Sequence, residues 1–149
     1  MLRETTEADL PTFYEHQRDP RACAMAVFKP RERPAFFEHW RTKILGSRST
    51  LTRTIELDGQ VAGYVSSFQS GPERLVCYWL GREHWGRGVA STALAEFLAQ
   101  VERARPLDAF VATSNAGSIR VLEKCGFALV PDSRTTGEDG VEEVRLRLR

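Results

Sequence analysis

The 149-residue chain lacks long apolar runs, a strong net charge and any cysteine pattern, and each shortage excludes something. No stretch approaches the roughly 20 apolar residues of a bilayer span, so no membrane partner is expected. The opening MLRETTEADLP is charged throughout and has no apolar centre, unlike a signal peptide. Lysine and arginine total 21 against 20 acidic residues, a net charge of +1. Arginines are interleaved with acids except in the terminal RLRLR, which argues against nucleic acid as a partner. The three cysteines, Cys23, Cys77 and Cys125, are odd in number, far apart and without C-x-x-C spacing. Reduced thiols in a cytoplasmic protein are the expectation, with Cys77 and Cys125 as buried structural residues. No His/Cys/Asp cluster has metal-ligand spacing, so no metal is expected. Repeats, linkers and low-complexity segments are also missing. What is there is ordinary for one globular domain over residues 1–149: 42% hydrophobic and 28% charged.

Periodicity places the elements. Leu2-Arg3-Glu4 suits a short first strand. Thr5–Asp19 follows with an N-cap among Thr5, Thr6 and Asp9 and an apolar face of Leu10, Phe13 and Tyr14. Pro20, Pro30 and Pro34 punctuate the next stretch. A second helix is predicted over Pro34–Leu45, its stripe of Phe36, Phe37, Trp40 and Ile44 reading as core. Leu51–Phe68 reads as a hairpin around Asp58-Gly59, with Gly63 marking a bulge or a close backbone approach. Arg74–Gly81 is a nearly continuous apolar strand. A helix up to Pro106, a strand over Leu107–Ser114, a short helix over Asn115–Gly126 and two final strands complete a mixed α+β order. The strand–helix–strand unit in the middle implies a right-handed crossover between two parallel neighbours.

The stretch HWGRGVASTAL, His84–Leu94, sets two glycines directly before a helix. Glycine costs roughly 1 kcal/mol against alanine inside a helix, so its place here has a cause. One cause is a tight strand-to-helix turn. The other is an anion, usually a phosphate, brought close to the unpaired N–H groups of the helix start. A dinucleotide site fits poorly: after Gly86 and Gly88, position 91 is serine rather than glycine, and no acidic residue ends the next strand.

Trp85-Gly86-Arg87-Gly88-Val89-Ala90, followed one helix and one strand later by NAGSIRVLEKCGF (Asn115–Phe127), resembles the GNAT superfamily of N-acetyltransferases. Trp85 stands where that family's Q/R-x-x-G-x-G/A loop has glutamine or arginine. The tryptophan, the N-x-x-S-x-R-V-L-E-K-x-G-F stretch and Asp19-Pro20 resemble most its ribosomal-protein N-acetyltransferase-like branch, which also includes enzymes acting on small molecules. The resemblance is strong over Tyr78–Phe127 and loose before Thr50. It implies a mostly antiparallel central sheet with two splayed parallel strands and flanking helices. It also implies acetyl-CoA as cosubstrate, its pyrophosphate on Gly86, Arg87, Gly88, Val89, Ala90 and Ser91. The pantetheine would lie along Tyr78, Trp79 and Leu80 with a contact from Asn115. The backbone N–H near Leu80 would stabilise the oxyanion. The acceptor would be a primary amine of a small molecule or protein N-terminus, and a homodimer is compatible with it.

Two positions depart from the family pattern. Many relatives place a glutamate in one of the splayed strands, but LVCYWL and AFVAT contain none; Glu73, Glu83, His84 and Asp108 only flank them. His84 reads as a surface-loop residue. Where relatives carry a tyrosine acid stands Leu122, and Ser118, one turn earlier on the same face, is the candidate donor to the leaving thiolate. Against that role, a helical serine commonly bonds back to its own backbone. The first helices and the loop Arg134–Gly140 are expected to shape the acceptor site, the loop as a mobile rim. The carboxylate-free strands keep a second reading open, a non-catalytic CoA-binding sensor or interaction domain.

Overall fold

Asp58 and Gly59 both take left-handed backbone, with φ of 50° and 77°, the geometry of a tight hairpin turn whose twist matches its strands. In the computed structural model, which describes residues 1–149, this turn joins β2 (Leu51–Leu57) to β3 (Gln60–Ser70). β1 (Leu2–Glu4) and β4 (Glu73–Leu80) add antiparallel on either side. The chain then crosses through α4 (Val89–Gln100) to β5 (Leu107–Ala112), which runs parallel to β4. α5 (Ala116–Lys124) leads to β6 (Ala128–Leu129), β7 (Thr135–Thr136) and β8 (Glu142–Leu148), all three in the same sheet. The order is β1-β2-β3-β4-β5-β8-β6, with β7 also on β8. The sheet is mixed and mostly antiparallel, as predicted. No helix is long and apolar enough to cross a membrane.

The predicted first helix is a 3-10 turn (Glu7–Asp9) leading into α1 (Leu10–Arg18), with Thr6 and Asp9 forming a capping box. The stretch after Pro20 is not merely punctuated. It is a helix, α2 (Pro20–Ala26), because Pro20 occupies its first turn and the Asp19 carboxylate accepts from the Arg21 N–H at 2.9 Å. The second predicted helix is α3 (Arg33–His39) running on into a π-helical turn at Trp40–Ile44.

Two apolar clusters hold the layers. On one face of the sheet, Ile55, Val65, Val76, Leu107 and Leu146 pack against α4 and α5 through Leu94, Phe97 and Leu122. On the other, Leu10, Phe13, Tyr14, Phe36 and Trp40 make an aromatic cluster that also meets Tyr64. Complete burial of a side chain such as Phe13 contributes roughly 1.5–3 kcal/mol. Gly63 is the predicted close approach: a Cβ there would lie 2.1 Å from the Trp79 carbonyl oxygen. The register of β2 against β3 slips beside it, between Ile55 and Glu56.

Three buried carboxylates tie the elements. Asp9 accepts both Arg3 guanidinium nitrogens at 2.8 and 2.9 Å and the Thr54 hydroxyl at 2.8 Å. Glu102 accepts from Ser67 at 2.5 Å and Arg74 at 2.7 Å. Asp108 accepts from Arg147 at 2.8 Å and Arg145 at 3.0 Å.

Candidate active site

β4 and β5 pair at one position only, Leu75 with Asp108, and diverge beyond it. The Gly81 N–H donates to the Ala62 carbonyl at 2.8 Å, which fixes the alternation along β4. Odd-numbered backbone groups face β3, so the N–H groups of Tyr78 and Leu80 point toward the gap beside β5. The Leu80 carbonyl accepts the Trp85 indole N–H at 3.0 Å. That bond ties the glycine loop to the strand and gives Trp85 a structural reason.

Gly86 and Gly88 have φ of 77° and 73°, with open space where a side chain would begin. Gly88 caps α4, whose first internal bond runs from the Thr92 N–H to the Gly88 carbonyl at 3.1 Å. The N–H groups of Val89, Ala90 and Ser91 therefore have no intrahelical acceptor and carry the positive end of the helix dipole. They face a cavity of about 620 Å³ that runs along Tyr78–Leu80 to Asn115 and Ser118. Arg120 and Lys124 line the same cavity from α5, and neither is paired with a carboxylate. Both are legible in the sequence as the cations of SIRVLEK, Ser118–Lys124. Arg87 folds back instead, onto the Glu83 carbonyl at 3.3 Å, and does not line the cavity.

A second cavity, about 640 Å³, opens between the sheet and α1, α3 and the π-helical turn. The two cavities share Ala26, Tyr78, Trp79, Asn115 and Ser118. At this junction the Tyr78 phenol and the Ser118 hydroxyl are 2.7 Å apart. Ser118 therefore does not bond back to its own helix through its side chain. Asn115 caps α5 by accepting from the Ser118 N–H at 3.2 Å, so it is both cap and lining residue. Burial pushes the Tyr78 phenol up to about 12, so it keeps its proton at neutral pH. Sequence reasoning placed Tyr78 as a backbone contact and missed its hydroxyl, because the partner is 40 residues away.

Several expectations change. His84 is buried, not a surface residue, and lines the glycine-loop cavity with its Nδ1 3.3 Å from Arg87. Cys77 is not sealed in the core; it is exposed to the second cavity, where desolvation pushes its thiol up to about 11. Of the flanking acids, Glu73 and Asp108 are held by Arg145 and Arg147, and Glu83 faces the outside near His16. None lines the second cavity. Its one carboxylate is Glu143, on β8 opposite Ala112, and His39 on α3 lines it as well. Burial, then the charges of Arg31 and Lys43, lower the His39 pKa and keep its ring neutral at pH 7. Arg134–Gly140 contributes nothing to either cavity. The aromatic stripe of α3 proves to be core and cavity wall together, since Phe36 and Trp40 serve both.

A family model described as an acetyltransferase (GNAT) domain matches residues 1–128. The chain belongs to the GNAT acetyltransferase family. No curated protein sequence matches it. Among solved structures, the spermidine N-acetyltransferase of Vibrio cholerae, in complex with CoA and spermine, superposes on this GNAT domain with a TM-score of 0.81 at 16% identity, covering 99% of this chain and 94% of that one. An aminoglycoside acetyltransferase in complex with coenzyme A and kanamycin gives 0.75 at 23% identity, with 99% and 93% covered. The ribosomal-protein-alanine N-acetyltransferase of Brucella melitensis gives 0.75 at 20%, with 99% and 98% covered. At these identities the likeness is one of fold, and it spans several acceptor classes.

Proposed function

We propose that this GNAT domain is an acetyl-CoA-dependent N-acetyltransferase that moves the acetyl group directly to a primary amine, of a small molecule or a protein N-terminus. The observation that supports this is the meeting of two cavities at the β4–β5 gap, one faced by a glycine-opened helix start and one with a carboxylate. Acetyl-CoA fits the first, with its pyrophosphate on the N–H groups of Gly86–Ser91 and its pantetheine along Tyr78–Leu80. Arg120 and Lys124 supply further positive charge to the phosphates. The amine enters from the second. Its lone pair attacks the thioester carbonyl, and the Leu80 N–H receives the charge that develops on oxygen. Glu143 takes the proton from nitrogen, the carbon–sulfur bond breaks, and the Ser118–Tyr78 pair donates to the sulfur as it becomes a thiolate. The products are the amide and free CoA. With its thiol pushed up to about 11, Cys77 is a poor nucleophile, which favours direct transfer over an acyl-cysteine. The reading of a non-catalytic CoA-binding domain rested on carboxylate-free strands, and Glu143 on β8 supplies what they lack.

The test is release of CoA from acetyl-CoA with a panel of primary amines, comparing the wild type with Glu143→Gln. Amine-dependent release that falls at least tenfold in the variant supports the assignment. Binding of CoA without turnover on any amine would favour the non-catalytic alternative.

A further inference from the structure

The acceptor cavity carries an unusual charge balance. Its lining includes the cations Arg31 and Lys43 and the imidazole of His39, against the single carboxylate of Glu143. Neither Arg31 nor Lys43 has a carboxylate within ion-pairing distance. All three line the same cavity, and burial, then the charges of Arg31 and Lys43, lower the His39 pKa. Arg31 is anchored. Gln17, 5% exposed, accepts from the Arg31 N–H at 2.9 Å and donates to its carbonyl at 3.2 Å, fixing the segment between α2 and α3 at the cavity mouth. Tyr64 lines the same space. Between this helical side and Glu143 on β8, the walls are aromatic: Phe13, Phe36, Trp40 and Phe68 among them.

We infer that the acceptor is an amine carrying a negative charge at its far end and an apolar body between, rather than a polyamine or an aminoglycoside. This rests on the acetyl-transfer reading and deepens it. Unpaired cations on the solvent-facing rim of the cavity attract an anion and repel a second ammonium, so they select by repulsion as well as attraction. A polycation would meet one carboxylate and two cations here. A molecule with one amine and one carboxylate meets complementary charge at both ends: the amine toward Glu143 and Ser118, the carboxylate toward Arg31 and Lys43. The same positive field favours the neutral form of the incoming amine, which is the form that attacks.

The probe is 4-(aminomethyl)benzoate, compared with its uncharged amide, 4-(aminomethyl)benzamide, and with spermine. With acetyl-CoA saturating, kcat/KM for the acid is expected to exceed that of the amide by roughly tenfold or more, and spermine to be poorer still. In Arg31→Gln/Lys43→Gln, both exposed sites, the preference for acid over amide should collapse toward unity. Calorimetry of the three amines on the CoA-bound protein gives a second readout that does not need turnover. Equal or better use of the amide or spermine overturns the inference and leaves acetyl transfer standing. A preference for the acid that survives the double substitution also overturns it. Preferential, Arg31- and Lys43-dependent binding of the acid with no transfer to any amine would instead uphold the ligand class and remove the transferase reading.

Discussion

Gly88 shows how much a single residue can decide. Its φ of 73° is one that L side chains rarely adopt, and the space over it is where a phosphate would approach. Gly88→Val should weaken CoA binding by roughly tenfold or more, read by calorimetry on protein shown to be folded by circular dichroism. Unchanged affinity would move the pyrophosphate elsewhere. Tyr78 and Ser118 make the second case. Ser118→Ala and Tyr78→Phe are each expected to lower kcat roughly tenfold while leaving CoA affinity near wild type, because the contact strengthens as charge forms on sulfur. If the two hydroxyls act as one unit, the double variant should lose little more than either single one. Additive losses would mean that each acts separately.

Elements bring together what the residues cannot choose alone. Arg134–Gly140 of the β7–β8 hairpin stays clear of the second cavity, and only Glu143, at its base, reaches it. Its direction is set by register: Thr135 pairs with Glu143 on one side and Ala112 on the other. Glu143→Gln should therefore depress kcat while Glu138→Gln, at the loop tip, leaves both Michaelis constants near wild type. A stronger effect at Glu138 would restore the loop to the site. The junction of β3, β4 and the end of α4 depends on a buried pair, with Arg74 and Glu102 side chains 14% and 4% exposed. Burial alone would raise the Glu102 pKa, but hydrogen bonds from Ser67, Arg74 and the Ala104 N–H outweigh it and hold it below its ordinary value. Arg74→Met leaves that carboxylate without its cation and should cost about 3–5 kcal/mol in urea unfolding.

Across the whole molecule the perturbed acids and histidines act in one direction. His16 is lowered by burial, as is His39 with help from neighbouring cations; Asp9, Glu102 and Asp108 are lowered by their hydrogen bonds and ion pairs. Each group then binds protons more readily in the unfolded chain, so stability rises with pH across the interval between its folded and unfolded values. The histidine contribution is complete above their ordinary value of 6.5 and begins to be lost below it. The carboxylate contribution begins to be lost near 4.5 for Glu102 and 3.8 for the aspartates. The urea midpoint should be nearly flat from pH 8 to 7, sag below 6.5 and fall again in the carboxylate range. A midpoint that holds steady to pH 5 would contradict the histidine part.

Local chemistry was enough for the α+β order, the hairpin at Asp58-Gly59, the close approach at Gly63 and the glycine loop before α4. Each depends on backbone conformation or on periodicity, which neighbours in sequence dictate. The helix at Pro20 is local too, since the Asp19 cap and a first-turn proline mark its start. The second cavity was another matter. Glu143 and His39 lie 104 residues apart in sequence and face one cavity only because β8 pairs with β5 while α3 packs on the opposite side of the gap. Tyr78 meets Ser118 for the same reason, and His84 and Cys77 changed from surface and core to cavity wall. Burial and charge environment belong to the assembled sheet, and no short stretch of sequence contains them.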